Sequence, residues 1–203
     1  MAVITISREF GAGGKTLGEI ISKKLGYEYV DKEIITKIAE KIKVSSGDVL
    51  SYEKYGATKL TKFLDKIVSS DFIERLISDK YGYMDEERYA EMLKAIIREL
   101  YEHGNVVIIG RGSQYILRGY ENVWHILLVA DNDYRLRFVM DKLNYDEKDA
   151  LTNIKQEDKI RERFLSHFND RLSQNDPRLY DLVINMSRIS LEKAEEMILK
   201  LVS

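Results

Sequence analysis

The chain switches repeatedly between two spacings of apolar residues. Val3, Ile4 and Ile6 surround Thr5 in a short β-branched run that ends at a glycine-rich turn, the pattern of a strand buried on both faces. Beyond Thr16 the spacing becomes helical: Leu17, Ile20, Ile21 and Leu25 recur on one face, and Gly26 supplies the stop. Residues 27–30 read as a second strand with Asp31 at its C-terminal end. A helix carrying Ile34, Ile35, Ile38, Ala39 and Ile42 follows. Met92, Leu93, Ile96, Ile97 and Leu100 mark another helix, which Gly104 closes before a strand at 106–109, and a fourth strand falls at 124–129. Asp131 and Asp133 stand where a cap is needed for the helix of Leu136 and Val139, and Asp146 caps a charged helix from 147 to 168. The last strand, 182–184, precedes a helix that Ser190 caps, with Leu191, Ala194, Met197, Ile198 and Leu201 facing inward. Strands and helices in this alternation, joined by right-handed crossovers, predict an α/β three-layer sandwich around a five-stranded parallel sheet.

One stretch breaks the rhythm. From about 44 to 89 there are serines and glycines, a helical pattern through Leu60, Phe63, Leu64, Ile67 and Val68, and then a tyrosine-rich patch, so this stretch reads as an insertion into one domain spanning 1–203. The 203 residues suffice for one buried core, and 44% hydrophobic with 33% charged residues describes a folded chain rather than a disordered one. A formal net charge of -2 removes the overall attraction to polyanions expected of a dedicated nucleic-acid binder, while leaving room for a small anionic ligand. There is no cysteine, which excludes disulfides, thiolate metal sites and cysteine nucleophiles. The three histidines, His103, His125 and His167, lack metal-ligand spacing. No apolar run approaches the ~20 residues of a membrane span, and the first residues read as a strand, so a cytoplasmic protein with no membrane partner is expected.

Chemistry concentrates where the first strand meets the first helix. Gly11-Ala12-Gly13-Gly14-Lys15-Thr16 lies between them, and such a loop lets backbone N–H groups approach an anion at a helix N-terminus. The phosphate-loop pattern G-x-x-x-x-G-K-[ST] is met at Gly14-Lys15-Thr16, although its first glycine falls on Glu9. In that register Lys15 reaches the β- and γ-phosphates of a nucleotide and the Thr16 hydroxyl joins a magnesium shell. A tight strand-to-helix turn without a ligand is the plainer reading.

The order and wording of these segments resemble the cytidylate kinases, and within them a divergent cytidylate kinase-like branch. Their loop reads roughly G-P-S-G-A-G-K-G-T. Aligned without gaps, residues 8–16 place Arg8 on its first glycine and Gly14 on its lysine, with Lys15 one position onward. The resemblance continues at Asp31, set like the strand-ending aspartate near the acceptor and magnesium. It continues at Arg111, set like the arginine of a G-R-D segment, with Gly112 in place of the aspartate. Asp158 and Arg161 fit the family's D-x-x-R on the charged helix, Arg135 follows the fourth strand as basic residues do in these kinases, and Ile154 stands where an arginine is frequent. The segment 180–187 resembles the last strand, with Asn185 for a frequent aspartate. Each position also has an ordinary reading: a helix cap for Asp31, a surface ion pair for Arg111, an intrahelical salt bridge for Asp158 and Arg161.

The resemblance implies a P-loop kinase fold with a helical acceptor-binding insertion and a helical lid near 146–175. It implies magnesium-dependent transfer of the γ-phosphoryl group of ATP to a nucleoside monophosphate, with CMP or dCMP leading. Lys15, Asp158 and Arg161 would be catalytic, Gly11, Ala12, Gly13, Gly14, Lys15 and Thr16 would hold the ATP phosphates, and Asp31, Arg111 and Arg135 would hold the acceptor. Ser45, Ser46, Asp48 and the tyrosines of the insertion are candidates for reading its base. The departures at Glu9, Gly14, Gly112 and Ile154 leave open a nucleotide-binding sensor with weak or no transfer, and the unread base leaves open a kinase for another small acceptor.

Overall fold

A computed structural model describes residues 1–47, 59–69, 71–72, 86–168 and 172–202. They belong to two compact units, Met1–Asp31 with Asn105–Ser203, and Lys32–Gly104.

The first unit is built on five parallel strands, β1 (Val3–Arg8), β2 (Glu28–Val30), β3 (Val106–Ile109), β4 (Val123–Val129) and β5 (Leu182–Asn185), in the order β2-β3-β1-β4-β5. β1 lies in the middle because every residue from Val3 to Ser7 is buried, as a strand covered on both faces requires. It pairs with β3 from Val3↔Val106 to Ile6↔Ile109 and with β4 from Val3↔Val123 to Arg8↔Leu128. The β4 pairing carries β1 through Ser7 and Arg8, two residues past the apolar run. Arg8 is a strand residue because a partner is paired alongside it, which hydrophobicity does not report.

Alternate side chains of the strands form one core face. Ile4, Ile6, Val107, Ile109, Ile126, Leu128 and Ile184 pack with Leu17 and Ile21 of α1 (Gly14–Leu25) and with Ala194 and Ile198 of α8 (Leu191–Val202). α1 ends at Gly26, whose left-handed backbone returns its N–H to the Ser22 carbonyl. After β3 comes a short helix, α5 (Ser113–Ile116), that the sequence pattern did not announce. α6 (Asn132–Leu143) and α7 (Glu147–Ser166) follow β4, and the Asp146 side chain caps α7 by accepting from Asp149 N at 2.8 Å. Asp131 holds the N-cap position of α6 without a side-chain cap bond. At the start of α8, Ser190 accepts from Lys193 N at 3.4 Å.

The second unit is helical: α2 (Lys32–Gly47), α3 (Lys59–Ile67) and α4 (Glu86–His103). α4 packs against both others, with Leu93, Ile96, Ile97 and Leu100 fully buried and the Phe63 ring 5.8 Å from that of His103. The part of the 44–89 insertion that includes Asp48 and the tyrosine-rich patch lies outside the described residues, as do residues 169–171 of the expected lid.

Candidate functional site

The C-terminal ends of the parallel strands gather the chemistry-bearing residues of the first unit, as they do in open α/β sheets generally. β1 delivers Arg8 and the loop of residues 9–13. Gly11 and Gly13 have φ of 84° and 79°, and α1 starts at Gly14, so Gly14, Lys15 and Thr16 form its first turn. No acidic residue stands in that turn, leaving the helix N-terminus electropositive. Gly11 is required twice over, because its backbone is left-handed and a Cβ there would stand 3.0 Å from the Arg135 carbonyl. The opposite edge of the cradle is fixed by Glu9, whose Oε2 accepts from Ala130 N at 2.9 Å just past β4. Glu9 therefore has a structural task at the position where a phosphate loop ordinarily carries glycine.

Lys15 leaves α1 with its side chain largely exposed, and its Nζ lies 3.7 Å from Asp31 Oδ2 at the end of β2. Asp31 is mostly covered and accepts from the Tyr29 hydroxyl at 3.4 Å. Burial, and then the Asp31 charge, push the Tyr29 phenol up, so it remains a proton donor to that carboxylate. The sequence alignment separated Lys15 from the family's lysine by one position; the fold nevertheless brings it beside the strand-ending aspartate. Thr16 lies in the same turn and offers a hydroxyl. Thr16 and Asp31 are hard oxygen donors of the kind magnesium takes together with phosphate oxygens and water. Among the described residues there is no cluster of three metal-ligating side chains, so a magnesium ion here would draw most of its ligands from substrate.

Asp158 is the junction of α6, α7 and the loop. Its Oδ1 accepts from Arg161 Nη2 at 2.7 Å, one helical turn on, and its Oδ2 accepts from Arg135 Nη2 at 2.6 Å, from α6. Arg135 is buried, and its Nε donates to the Phe10 carbonyl at 2.6 Å. Arg161 Nη1 donates to the Arg8 carbonyl, and its Nε donates to Gln174 Oε1 at 3.2 Å. The two arginines thus grip one carbonyl at the end of β1 and one in the loop, and Asp158 supplies the countercharge. Burial lowers the Arg161 guanidinium from its ordinary value, with Asp158 opposing. Apolar packing reinforces the junction. Val139, Ala150 and Ile154 form a small core with Phe10, Leu136 and Met140 against it, which explains an isoleucine where the family frequently has arginine. The side chain at 154 faces the helix pair and the loop.

Arg111 follows β3 in a left-handed conformation, φ 60°, uncommon for a residue with a Cβ. Its guanidinium lies 4.7 Å from the Phe164 ring centroid of α7, and its Nε is buried without a hydrogen-bond partner among the described residues. Gly112, where the family's aspartate would be, is tight as well: a Cβ there would come within 2.8 Å of Phe168 Cδ2. Sequence reasoning missed Arg8, Glu9, Phe164 and Gln174. Charged residues at 8 and 9, between a buried strand and a glycine loop, were the available signal. Nothing local marks Phe164 or Gln174, since their roles depend on α7 folding back onto the loop.

A parallel sheet with a glycine loop between its central strand and first helix, a lysine and threonine in that helix's first turn, and arginines from two further helices closing on the loop define a P-loop kinase fold. The model of the cytidylate kinase-like family matches residues 3–188, and the chain belongs to that family. Among solved structures it is similar to an uncharacterized protein from Eubacterium ventriosum, 22% identical, covering 100% of this chain and 98% of that one at a TM-score of 0.71. It is also similar to a shikimate kinase from Bacteroides thetaiotaomicron, 16% identical, covering 99% and 98% at a TM-score of 0.50. No curated protein matches. Family and fold together support phosphoryl transfer as the general activity. Among the described residues, no helix is long and apolar enough to cross a membrane.

Proposed function

We propose that the protein transfers the γ-phosphoryl group of ATP to a nucleoside monophosphate, with CMP or dCMP the leading acceptor, in the cytoplasm. The observation that carries the reading is the meeting of Lys15 from the head of α1 with Asp31 from the end of β2, 3.7 Å apart. One belongs to the donor's phosphate cradle and the other stands on the acceptor side, and in-line transfer needs both at one place. Backbone N–H groups of residues 11–16 and the Lys15 ammonium hold the donor phosphates. Asp31 and Arg111 position the acceptor, Arg111 by receiving the phosphate group whose oxygen attacks. Arg161 stands over the loop where charge develops on the transferring group. A magnesium ion, held by Thr16 and Asp31 with substrate oxygens, would add further neutralisation of phosphate charge. Arg135, buried and bonded to Phe10, contributes by fixing the loop.

A second reading has its own observation. All three described donor positions of Arg161 go to protein acceptors, Gln174, Arg8 and Asp158, as in a nucleotide sensor whose arginine is not released to a substrate. Incubating the protein with magnesium-ATP and a panel of nucleoside monophosphates and other small acceptors, with product separated by chromatography, decides between them. CMP-dependent diphosphate formation supports transfer. Tight ATP binding with no product from any acceptor supports the sensor, and product from a non-nucleotide alone replaces the acceptor.

A further inference from the structure

The least explained charge in the molecule is Arg8. Its side chain runs from the head of α1 to the end of β3 through space kept open by two glycines: a Cβ on Gly14 would lie 2.8 Å from Arg8 Cγ, and one on Gly110 would collide with Arg8 Nη1. Burial, then the neighbouring Arg161 and Arg111, lower its guanidinium to about 10, against the opposing charges of Tyr29 and Asp31. Among the described residues no carboxylate forms an ion pair with it and no acceptor takes a hydrogen bond from it. A half-buried cation with no ion-pair partner among the described residues is costly, and folds retain one where something else supplies the countercharge. Arg111, the next strand end along, repeats the situation with a buried Nε that has no acceptor among the described residues.

We propose that Arg8 is a substrate-binding residue, and that its guanidinium and that of Arg111 form a recessed seat between the ends of β1 and β3 for a phosphate monoester dianion, the charged group of the acceptor. The proposal rests on the phosphotransferase reading above and adds to it both a residue and a charge requirement. Two guanidinium groups with no ion-pair partner among the described residues are matched by a dianion, whereas a carboxylate would leave one unmatched and a neutral hydroxyl acceptor would leave both. The position fits the acceptor rather than the donor. The Arg8 head group lies against Gly110 at the end of β3, within electrostatic reach of Asp31. Arg161, whose Nη1 holds the Arg8 carbonyl, couples the closing helix to the same residue. The replacement of a loop glycine by Arg8 is then a gain of function at the acceptor seat, and Gly14 is glycine so that the arginine can pass.

The test is calorimetric titration of inorganic phosphate, CMP and cytidine into the protein saturated with magnesium-ADP, so that the loop is filled and the probes report on the seat. Wild type should bind phosphate and CMP and should bind cytidine at least tenfold more weakly than CMP. Arg8→Met should weaken phosphate and CMP tenfold or more, with ADP binding as the check on an intact loop. Phosphate affinity unchanged in Arg8→Met overturns the proposal. Should that variant not fold, Arg8→Lys decides. A buried lysine loses its proton more readily than arginine, so the ratio of variant to wild-type phosphate affinity should fall between pH 7 and 9. A ratio of one across that range overturns the proposal. Arg8-dependent phosphate binding with no conversion of any nucleoside monophosphate keeps the seat and removes the acceptor reading. CMP turnover with unaltered KM in Arg8→Met does the reverse.

Discussion

Asp158→Ala removes the carboxylate that Arg135 and Arg161 share, and the consequence for stability can be worked from the geometry. Arg135 is almost wholly covered, at 6% side-chain exposure, and cannot turn to water when its partner goes, while Asp158 itself retains 33%. Removing one member of a buried pair costs roughly 3–5 kcal/mol, because the remaining charge stays desolvated. With a third of the carboxylate already in solvent, screening reduces this to about 2–3 kcal/mol. For a chain of this size that is a fall in Tm of roughly 4–12 °C. Differential scanning calorimetry at neutral pH reads it directly. The decisive comparison is a double-mutant cycle with Arg135→Met, which takes away the buried cation and leaves a side chain able to fill the space. Once Arg135 is gone, Asp158→Ala should cost little more, giving a coupling of about 1.5–3 kcal/mol. Two effects that add to within about 0.5 kcal/mol would refute the assignment of Asp158 as the counter-ion of Arg135.

Lys15→Ala should lower the transfer rate about 100-fold or more while leaving Tm within a degree or two, since the lysine itself is exposed and Asp31 keeps the Tyr29 hydroxyl as a donor; full activity in this variant would remove Lys15 from the site. Gly11→Ala should destabilise the protein by about 2 kcal/mol, from the left-handed φ of 84° and the approach to the Arg135 carbonyl, and should weaken nucleotide binding; an unchanged denaturation midpoint would show that the loop adapts freely. Burial pushes the His125 imidazole below its ordinary value, with Asp181 opposing, and Thr5 Oγ1 stands 2.6 Å from its Nδ1. Because the folded value lies below the unfolded one of about 6.5, His125 contributes stability in full above that pH and loses it as pH falls through the folded value. Tm should therefore drop more between pH 7.5 and 5.5 in the wild type than in His125→Gln, and equal drops would refute it.

Period and punctuation in the chain were enough for the architecture. Apolar residues at alternate or helical spacing face a core wherever the chain is covered, so β1 to β5, α1, α4 and α8 could be read from Val3, Leu17, Leu93, Val106, Ile126, Ile184 and Ile198 and their neighbours. Gly26 and Asp146 acted as stop and cap because both effects are local to a few peptide units. The glycine loop, Lys15, Thr16, and the placing of Asp158 and Arg161 on one helix face were legible for the same reason. Long-range partnership was not. Arg8 joins β1 only because β4 is paired beside it, and it becomes a charge facing Arg111 only because β3 ends next door. Arg135 and Arg137 are two residues apart on one helix and look alike in sequence, yet the first is buried against Phe10 and the second is exposed, a difference set by where α6 meets the loop. Ile154 reads as a missing arginine until Phe10, Val139 and Ala150 are seen around it. Local pattern reports how much of a residue is covered, whereas the identity of what covers it, and so the chemistry of a charge, depends on strands and helices brought together from more than a hundred residues away.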